Sequence, residues 1–258
     1  MDRDEISVLT LNTWFDGFER ERRTSALLDR AGELEPDVIA LQEVREDVVR
    51  ALRDAAWVRR SYEMSDAIGT TMRSYGNLLL TRLPMRRLEL HPFPTITGRR
   101  LLLAELQVND GVIAIGVVHL ESTKEMAGTR AEQLQRTVKV LSGFPQALIV
   151  GDCNFDVGAP EERVVRGFVD TWPALHAEEP GWTVDATRNP MRRRFGSDKR
   201  ARYDRVFLRS DDRSWTAESA SLFADDAVDA DAGVFVSDHF GVLTRLRHDA
   251  GAHGIAGP

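Results

Sequence analysis

The 258 residues contain one cysteine, Cys153. No intramolecular disulfide can form, which fits a reducing compartment. No apolar run approaches the ~20 residues that span a bilayer, so no membrane-crossing helix is expected. The segment Met1-Asp2-Arg3-Asp4-Glu5 lacks a basic stretch followed by an apolar one and leads straight into a strand-like run. No secretory leader is therefore expected, and the chain is placed in the cytoplasm. Positive charge is in deficit: 34 Lys and Arg stand against 41 Asp and Glu, a net charge of -7. That balance argues against a protein that coats nucleic acid without specificity. Repeats and dividing linkers are missing too. With 42% hydrophobic and 29% charged residues, the chain can bury a substantial core and does not look disordered or fibrous. One domain over 1–247 is expected, with a flexible, Gly- and Ala-rich tail over 248–258.

Charge that is scarce overall is concentrated locally. Residues 188–205 hold Arg188, Arg192, Arg193, Arg194, Lys199, Arg200, Arg202 and Arg205, and the acidic stretch 210–231 follows. Local field matters more to a substrate than total charge does.

Short apolar runs read as buried strands over Ile6–Leu11, Asp37–Leu41, Asn77–Thr81, Leu101–Val108, Val112–Val118, Ala147–Val150, Val206–Leu208 and Gly241–Leu243. Asn109-Asp110-Gly111 between two of them predicts a hairpin. Amphipathic spacing predicts helices over 20–34, with Ala26, Leu27, Ala31 and Leu34 as its apolar stripe, and over 46–56. A third helix should open at a capping box, Thr129-Arg130-Ala131-Glu132, and carry Leu134, Val138 and Leu141 on one face. Residues 184–202 read as a long loop, and loops of that length in compact domains are usually functional or disordered. Helices alternating with strands, then hairpins, imply an α/β (α+β) fold with a mixed sheet core and helices outside.

The apolar strands share one habit: each meets a polar residue at its end. Asn12, Glu43, His119, Asp152 with Asn154, Asp204, and Asp238 with His239 all stand there. Singly, such an Asp caps a turn or a helix and such a His is a hydrogen-bonded structural residue. Together, carboxylates, amides and imidazoles at one rim match a hard cation with oxygen ligands and retained waters. They also match a phosphodiester whose oxygens need neutralising while a water attacks in line. Glu43 is the best metal ligand on this reading, since a carboxylate at the end of a buried strand needs a compensating cation. The bland alternative is an acid favouring the N-terminus of the 46–56 helix.

In order along the chain, Leu11-Asn12, Leu41-Gln42-Glu43-Val44, His119-Leu120, Gly151-Asp152-Cys153-Asn154, Tyr203-Asp204-Arg205 and Ser237-Asp238-His239 resemble the motifs of the endonuclease/exonuclease/phosphatase superfamily. The likeness narrows. His91-Pro92-Phe93-Pro94, Arg100-Leu101-Leu102, His119-Leu120-Glu121-Ser122-Thr123, Gln133-Leu134, Asp170-Thr171-Trp172 and Arg202-Tyr203-Asp204-Arg205-Val206-Phe207 are similar to the catalytic domain of the type 2 tyrosyl-DNA phosphodiesterases. Those enzymes cleave the bond between a topoisomerase tyrosine and a DNA 5′-phosphate. Cys153 stands where those relatives have Thr, and Val184 where they carry a Trp that packs against DNA.

The resemblance implies a DNase I-like four-layer sandwich, two packed mixed β-sheets flanked by helices. It implies a Mg²⁺-dependent phosphodiesterase, with Mn²⁺ as the alternative ion, acting on DNA or a DNA–protein adduct. No membrane contact is expected; the sequence leaves the oligomeric state open, with a monomer favoured. By position, Asp152 becomes the general base or water-orienting carboxylate, with Asn12 and Asn154 as neutral donors. His239 becomes a donor to the phosphate, oriented by Asp204, and His119 a second donor. Asp238 becomes a carboxylate reaching the metal through water. Arg100, Ser122 and Thr123 fall where the relatives contact the DNA backbone, and Tyr203 becomes a stacking residue. For Asn154 turn formation, for Arg100 a surface charge, and for Tyr203 a core aromatic remain alternatives. So does a phosphatase or phosphodiesterase on a small or lipid head-group substrate, or a general DNA nuclease. Cys153 is read as a small packed side chain and Ser237 as a local hydrogen-bonding residue.

Overall fold

The computed structural model describes residues 3–249. The chain runs β1 (Glu5–Asn12), α1 (Arg20–Leu34), β2 (Val38–Val44), α2 (Glu46–Asp54), α3 (Ala56–Ser61), β3 (Glu63–Met64) and β4 (Gly76–Thr81). It continues β5 (Met85–Pro92), β6 (Arg100–Val108), β7 (Gly111–His119), α4 (Ala127–Leu141) and β8 (Gln146–Asp152). It closes with β9 (Val169–Asp170), α5 (Thr171–Leu175), β10 (Val184–Asp185), β11 (Arg200–Ala201), β12 (Asp204–Ser210), β13 (Trp215–Phe223) and β14 (Gly241–His248).

Two six-stranded sheets form, ordered β13-β14-β1-β2-β4-β3 and β5-β6-β7-β8-β12-β9. Each contains one parallel pair, β1 with β2 and β7 with β8, flanked by antiparallel strands. Strand alternation explains the layering. Ile6, Val8, Val38 and Ala40 face Leu102, Ala104, Ile115, Val117, Leu148 and Val150 between the sheets. The opposite set on the first sheet, Leu9, Leu11, Ile39 and Leu41, packs on Leu27 and Ala31 of α1 and Val48, Val49 and Leu52 of α2. On the second sheet Leu101, Leu103, Ile149 and Phe207 pack on Leu134 and Leu141 of α4. Strands buried on both faces read as continuous apolar runs. The result is the four-layer arrangement: helices, sheet, sheet, helix.

Local outcomes differ from expectation at four places. The 46–56 helix breaks at Ala55, whose backbone is extended (φ -64, ψ 130), and the turn brings Val58 of α3 onto the same apolar cluster as Leu52. Leu34, expected on the buried stripe of α1, is 43% exposed. Thr129 does not cap α4: a 3₁₀ turn over Lys124–Met126 runs directly into the helix, so Thr129 lies inside its first turn. Residues 184–202 carry the β10–β11 ribbon and a 3₁₀ helix over Pro190–Phe195. The tail expected over 248–258 lies, beyond Asp249, outside the described residues.

Candidate active site

The parallel pairs put two strand ends of each sheet on the same rim. Asn12 lies opposite Gln42, next to Glu43, in the first sheet, and His119 lies opposite Asp152 in the second. Asp204, at the start of antiparallel β12, pairs with Asp152 and so reaches the same rim. Asp238 and His239 arrive on the turn before β14, which pairs with β1.

Two backbone features aim these groups. Glu43 sits at a bulge where the β2–β4 register shifts, with φ 57, a left-handed conformation costly for a residue with a Cβ. Gly151, φ 133, is the other: a Cβ there would lie 2.0 Å from the Val118 carbonyl oxygen. Only glycine lets β7 and β8 approach closely enough at that point to set His119 beside Asp152.

Asn12 is the hub. Its Nδ2 donates to Glu43 Oε1 at 3.1 Å and Asp152 Oδ2 at 2.9 Å, and its Oδ1 accepts from the Trp14 amide. Glu43 Oε2 accepts from the Phe15 amide at 3.0 Å. Burial first, then the charge of Asp238, raise the Glu43 carboxyl above the usual range, against those hydrogen bonds. Asp152 Oδ1 accepts from the Asn154 amide at 2.9 Å. Asn154 is left-handed (φ 53), and its side chain donates to the Leu120 carbonyl. The turn-forming role left open for it is therefore present.

The two histidines are held in opposite states. His119 Nδ1 faces Arg99 Nη1 at 2.6 Å. Arginine only donates, so Nδ1 accepts and the proton sits on Nε2, 3.4 Å from Asp152 Oδ2 and 3.7 Å from Glu43 Oε1. Burial, and then Arg99, push His119 well below its usual pKa, keeping the ring neutral. His239 Nδ1 donates to Asp204 Oδ2 at 2.8 Å. Burial alone would lower it too, but Asp204, Asp238 and Asp152 outweigh burial and raise it to about 10. Thr183 Oγ1 accepts from the Asp204 amide and fixes that carboxylate's strand end.

Ser237 is a pin: its Oγ donates to the Asn12 carbonyl at 2.5 Å and accepts from the His239 amide. Asp238 is engaged by Arg192, whose Nη1 donates to Oδ2 at 2.6 Å. Cys153 is buried with its thiol pushed up, first by burial, and donates weakly to the Gly151 carbonyl.

The substrate-side residues divide. Ser122, Thr123 and Tyr203 line a groove of about 640 Å³ that also takes in Asn154 and Arg192. Arg100 does not join them: its guanidinium donates to the Thr71 carbonyl. Its neighbour Arg99 reaches His119 and Ser122 and lies over the Tyr75 ring at 5.3 Å. Tyr75 stacks on Phe15 at 4.9 Å and 15°. Sequence reasoning misses Arg99, Tyr75, Phe15 and Thr183 and names Arg192 only as one member of the basic 188–205 stretch. For Arg99 the available signal is its place beside Arg100.

Among the described residues no group of three or more His, Cys, Asp and Glu forms a ligand cage. A hard cation that keeps its waters needs only one or two carboxylates. Glu43 fits: its oxygens are held by neutral donors, and its raised pKa is the mark of a buried negative charge with too little positive charge around it.

The sequence model of the Endonuclease/Exonuclease/phosphatase family matches residues 9–239. The chain belongs to this family. It is accordingly a hydrolase of phosphate ester bonds, and enzymes of the family are metal-dependent. It is 27% identical over 256 residues to tyrosyl-DNA phosphodiesterase 2 of Xenopus tropicalis, covering 94% of this chain and 66% of that protein. For the Homo sapiens protein of the same name the figures are 28% over 257 residues, 93% and 68%. The chain thus spans about two thirds of the length of these relatives. Among solved structures, D. rerio TDP2 complexed with single strand DNA product superposes with a TM-score of 0.83 at 25% identity, covering 95% of this chain and all of that one. The DNase I-like fold expected from the motifs is the fold observed.

Proposed function

We propose that the protein is a Mg²⁺-dependent phosphodiesterase that releases 5′-phosphotyrosyl or related 5′ adducts from DNA, with Mn²⁺ as the alternative ion. One observation carries the chemistry: His239, bonded to Asp204, and His119, bonded to Arg99, sit at one rim with the Asn12–Asp152–Glu43 cluster. The choice of substrate is supported by the printed names of the relatives and by the D. rerio structure with single strand DNA product.

Asp152 is fixed by Asn12 on one oxygen and by the Asn154 amide on the other. Held that way, it accepts the proton of a water attacking phosphorus from the side opposite the leaving group. His239, charged and oriented by Asp204, donates to a phosphate oxygen as negative charge builds there, and His119 supplies the neutral Nε2–H. The new P–O bond to water forms as the bond to the tyrosyl oxygen breaks, leaving a 5′-phosphate and a phenol. A divalent cation bound at Glu43 would supply charge neutralisation to the phosphate oxygens.

The test is cleavage, with Mg²⁺, of a 5′-phosphotyrosyl oligonucleotide beside an abasic duplex, plain single strands and a phosphoinositide. Glu43→Gln should abolish turnover and the stabilisation that Mg²⁺ gives the wild type, about 2.7 kcal/mol at a hundredfold excess over Kd and read as a rise in Tm. Full activity in that variant removes Glu43 from the site. Cleavage of the phosphoinositide alone overturns the DNA reading.

A further inference from the structure

The 184–202 segment contributes a residue to substrate binding. It is strapped onto the turn that carries His239. Asn189 Nδ2 donates to the Ser237 carbonyl at 2.8 Å, the Phe235 amide donates to Met191 Sδ at 3.1 Å, and the Phe240 amide donates to the Thr183 carbonyl at 2.7 Å. Arg192 completes the strap by reaching Asp238, which is 2% exposed.

We propose that Arg192 binds the phosphate next to the scissile one on a nucleic-acid chain, and that Asp238 holds its guanidinium in position for that contact. The proposal rests on the phosphodiesterase reading above.

A guanidinium presents five donors in a planar fork. Arg192 gives one nitrogen to Asp238. Its Nε is buried and has no partner among the described residues. The other arginines of the segment are engaged elsewhere: Arg188 with Asp225, Arg193 with Asp198, Arg200 with Asp185, Arg202 with Asp170, and Arg194 over the Phe18 ring. Arg192 instead lines the groove, together with Asn154 and Tyr203. Arg130 lines it too, but its nitrogens go to Glu161 and to the Glu121 and Thr123 carbonyls. Lys124 and Lys199 complete the groove's cations. Neither histidine nor Glu43 lines this groove. A phosphate held there is therefore a neighbour of the reacting group. Anchoring one face of the fork on a buried carboxylate leaves the remaining donors oriented before substrate arrives, which lowers the ordering cost of the contact.

The experiment compares wild type, Arg192→Lys, Arg192→Met and the double variant Arg192→Met/Asp238→Asn, the last relieving the stranded carboxylate if the single variant misfolds. Binding of a 5′-phosphorylated single-stranded oligonucleotide is read by fluorescence anisotropy in EDTA across a salt series. Both Met variants should bind roughly tenfold more weakly, with the salt slope reduced by about one, while Arg192→Lys keeps the slope. In turnover, Arg192→Met should raise KM for the oligonucleotide substrate by about tenfold, and the change for a single-nucleotide p-nitrophenyl diester should be smaller. An unchanged salt slope, or equal losses on the two substrates, overturns the proposal. Failure to cleave a phosphotyrosyl adduct bears on the proposed substrate only, since the binding arm needs no adduct.

Discussion

Two regions of this molecule treat their carboxylates in opposite ways. Beside the 3₁₀ turn over Pro160–Arg163, Glu161 is held by Arg130 at 2.8 Å. Asp170 is held by Arg202 at 2.8 Å and Arg205 at 3.2 Å. Each of these two acids has an arginine. At the rim, Asp204 has His239 and Asp238 has Arg192, but Glu43 and Asp152 meet amides, backbone N–H groups and a neutral imidazole. One region spends its charge on holding shape. The other leaves half of its charge unmatched, and a cation is what that half calls for.

The comparison can be broken from either side. Glu161→Ala strands Arg130, which is 5% exposed, and should cost about 3–5 kcal/mol of stability by denaturant melts. Its kcat, measured well below the melting point, should stay near wild type; a selective loss of kcat would mean the paired region takes part in the chemistry. His239→Ala should lower kcat by roughly 10²–10³, or about 2.7–4 kcal/mol, the loss of one preorganised donor. A drop of less than tenfold in that variant would remove His239 from the transition state. A third effect is in alkali. His239 is raised from 6.5 to about 10 in the folded chain. Its pairing with Asp204 therefore stabilises fully below about pH 6.5 and is lost as pH climbs toward 10, because the folded state then holds a proton the unfolded state has released. Tm should decline over that window more steeply in wild type than in Asp204→Asn. Parallel slopes would mean that the pair contributes no such linkage.

What the sequence reveals follows burial. The central strands carry apolar side chains on both faces, so β1, β2, β7 and β8 stand out as continuous runs, and the polar residues at their ends stand out with them. The edge strand β5 reads Met85-Arg86-Arg87-Leu88-Glu89-Leu90-His91-Pro92 and stays largely exposed. β13 is another edge strand, exposed at Thr216, Glu218, Ser219 and Ser221. Neither has an apolar run to announce it. The helix over 46–56 looked continuous because its break serves a tertiary contact, that of Val58, which no local spacing encodes. Arg100 and Arg99 show a finer limit. Arg99 precedes β6 and Arg100 opens it, so a shift of one position separates a side chain on His119 from one on Thr71. The basic 188–205 segment misled in degree: most of its arginines are occupied by carboxylates of the same chain.

Ser237 donates to the Asn12 carbonyl across 225 positions of chain, and β14 is inserted between the edge strand β13 and β1. A ribosome delivers β1 well before β14. Until β14 slots in, Asn12 has no Ser237 against it, Asp204 has no imidazole, and the first sheet has an open seam. Contacts this distant in sequence form slowly. The nascent chain consequently carries its acidic half-site without His239, and on the proposed mechanism a product truncated before residue 239 should be inactive.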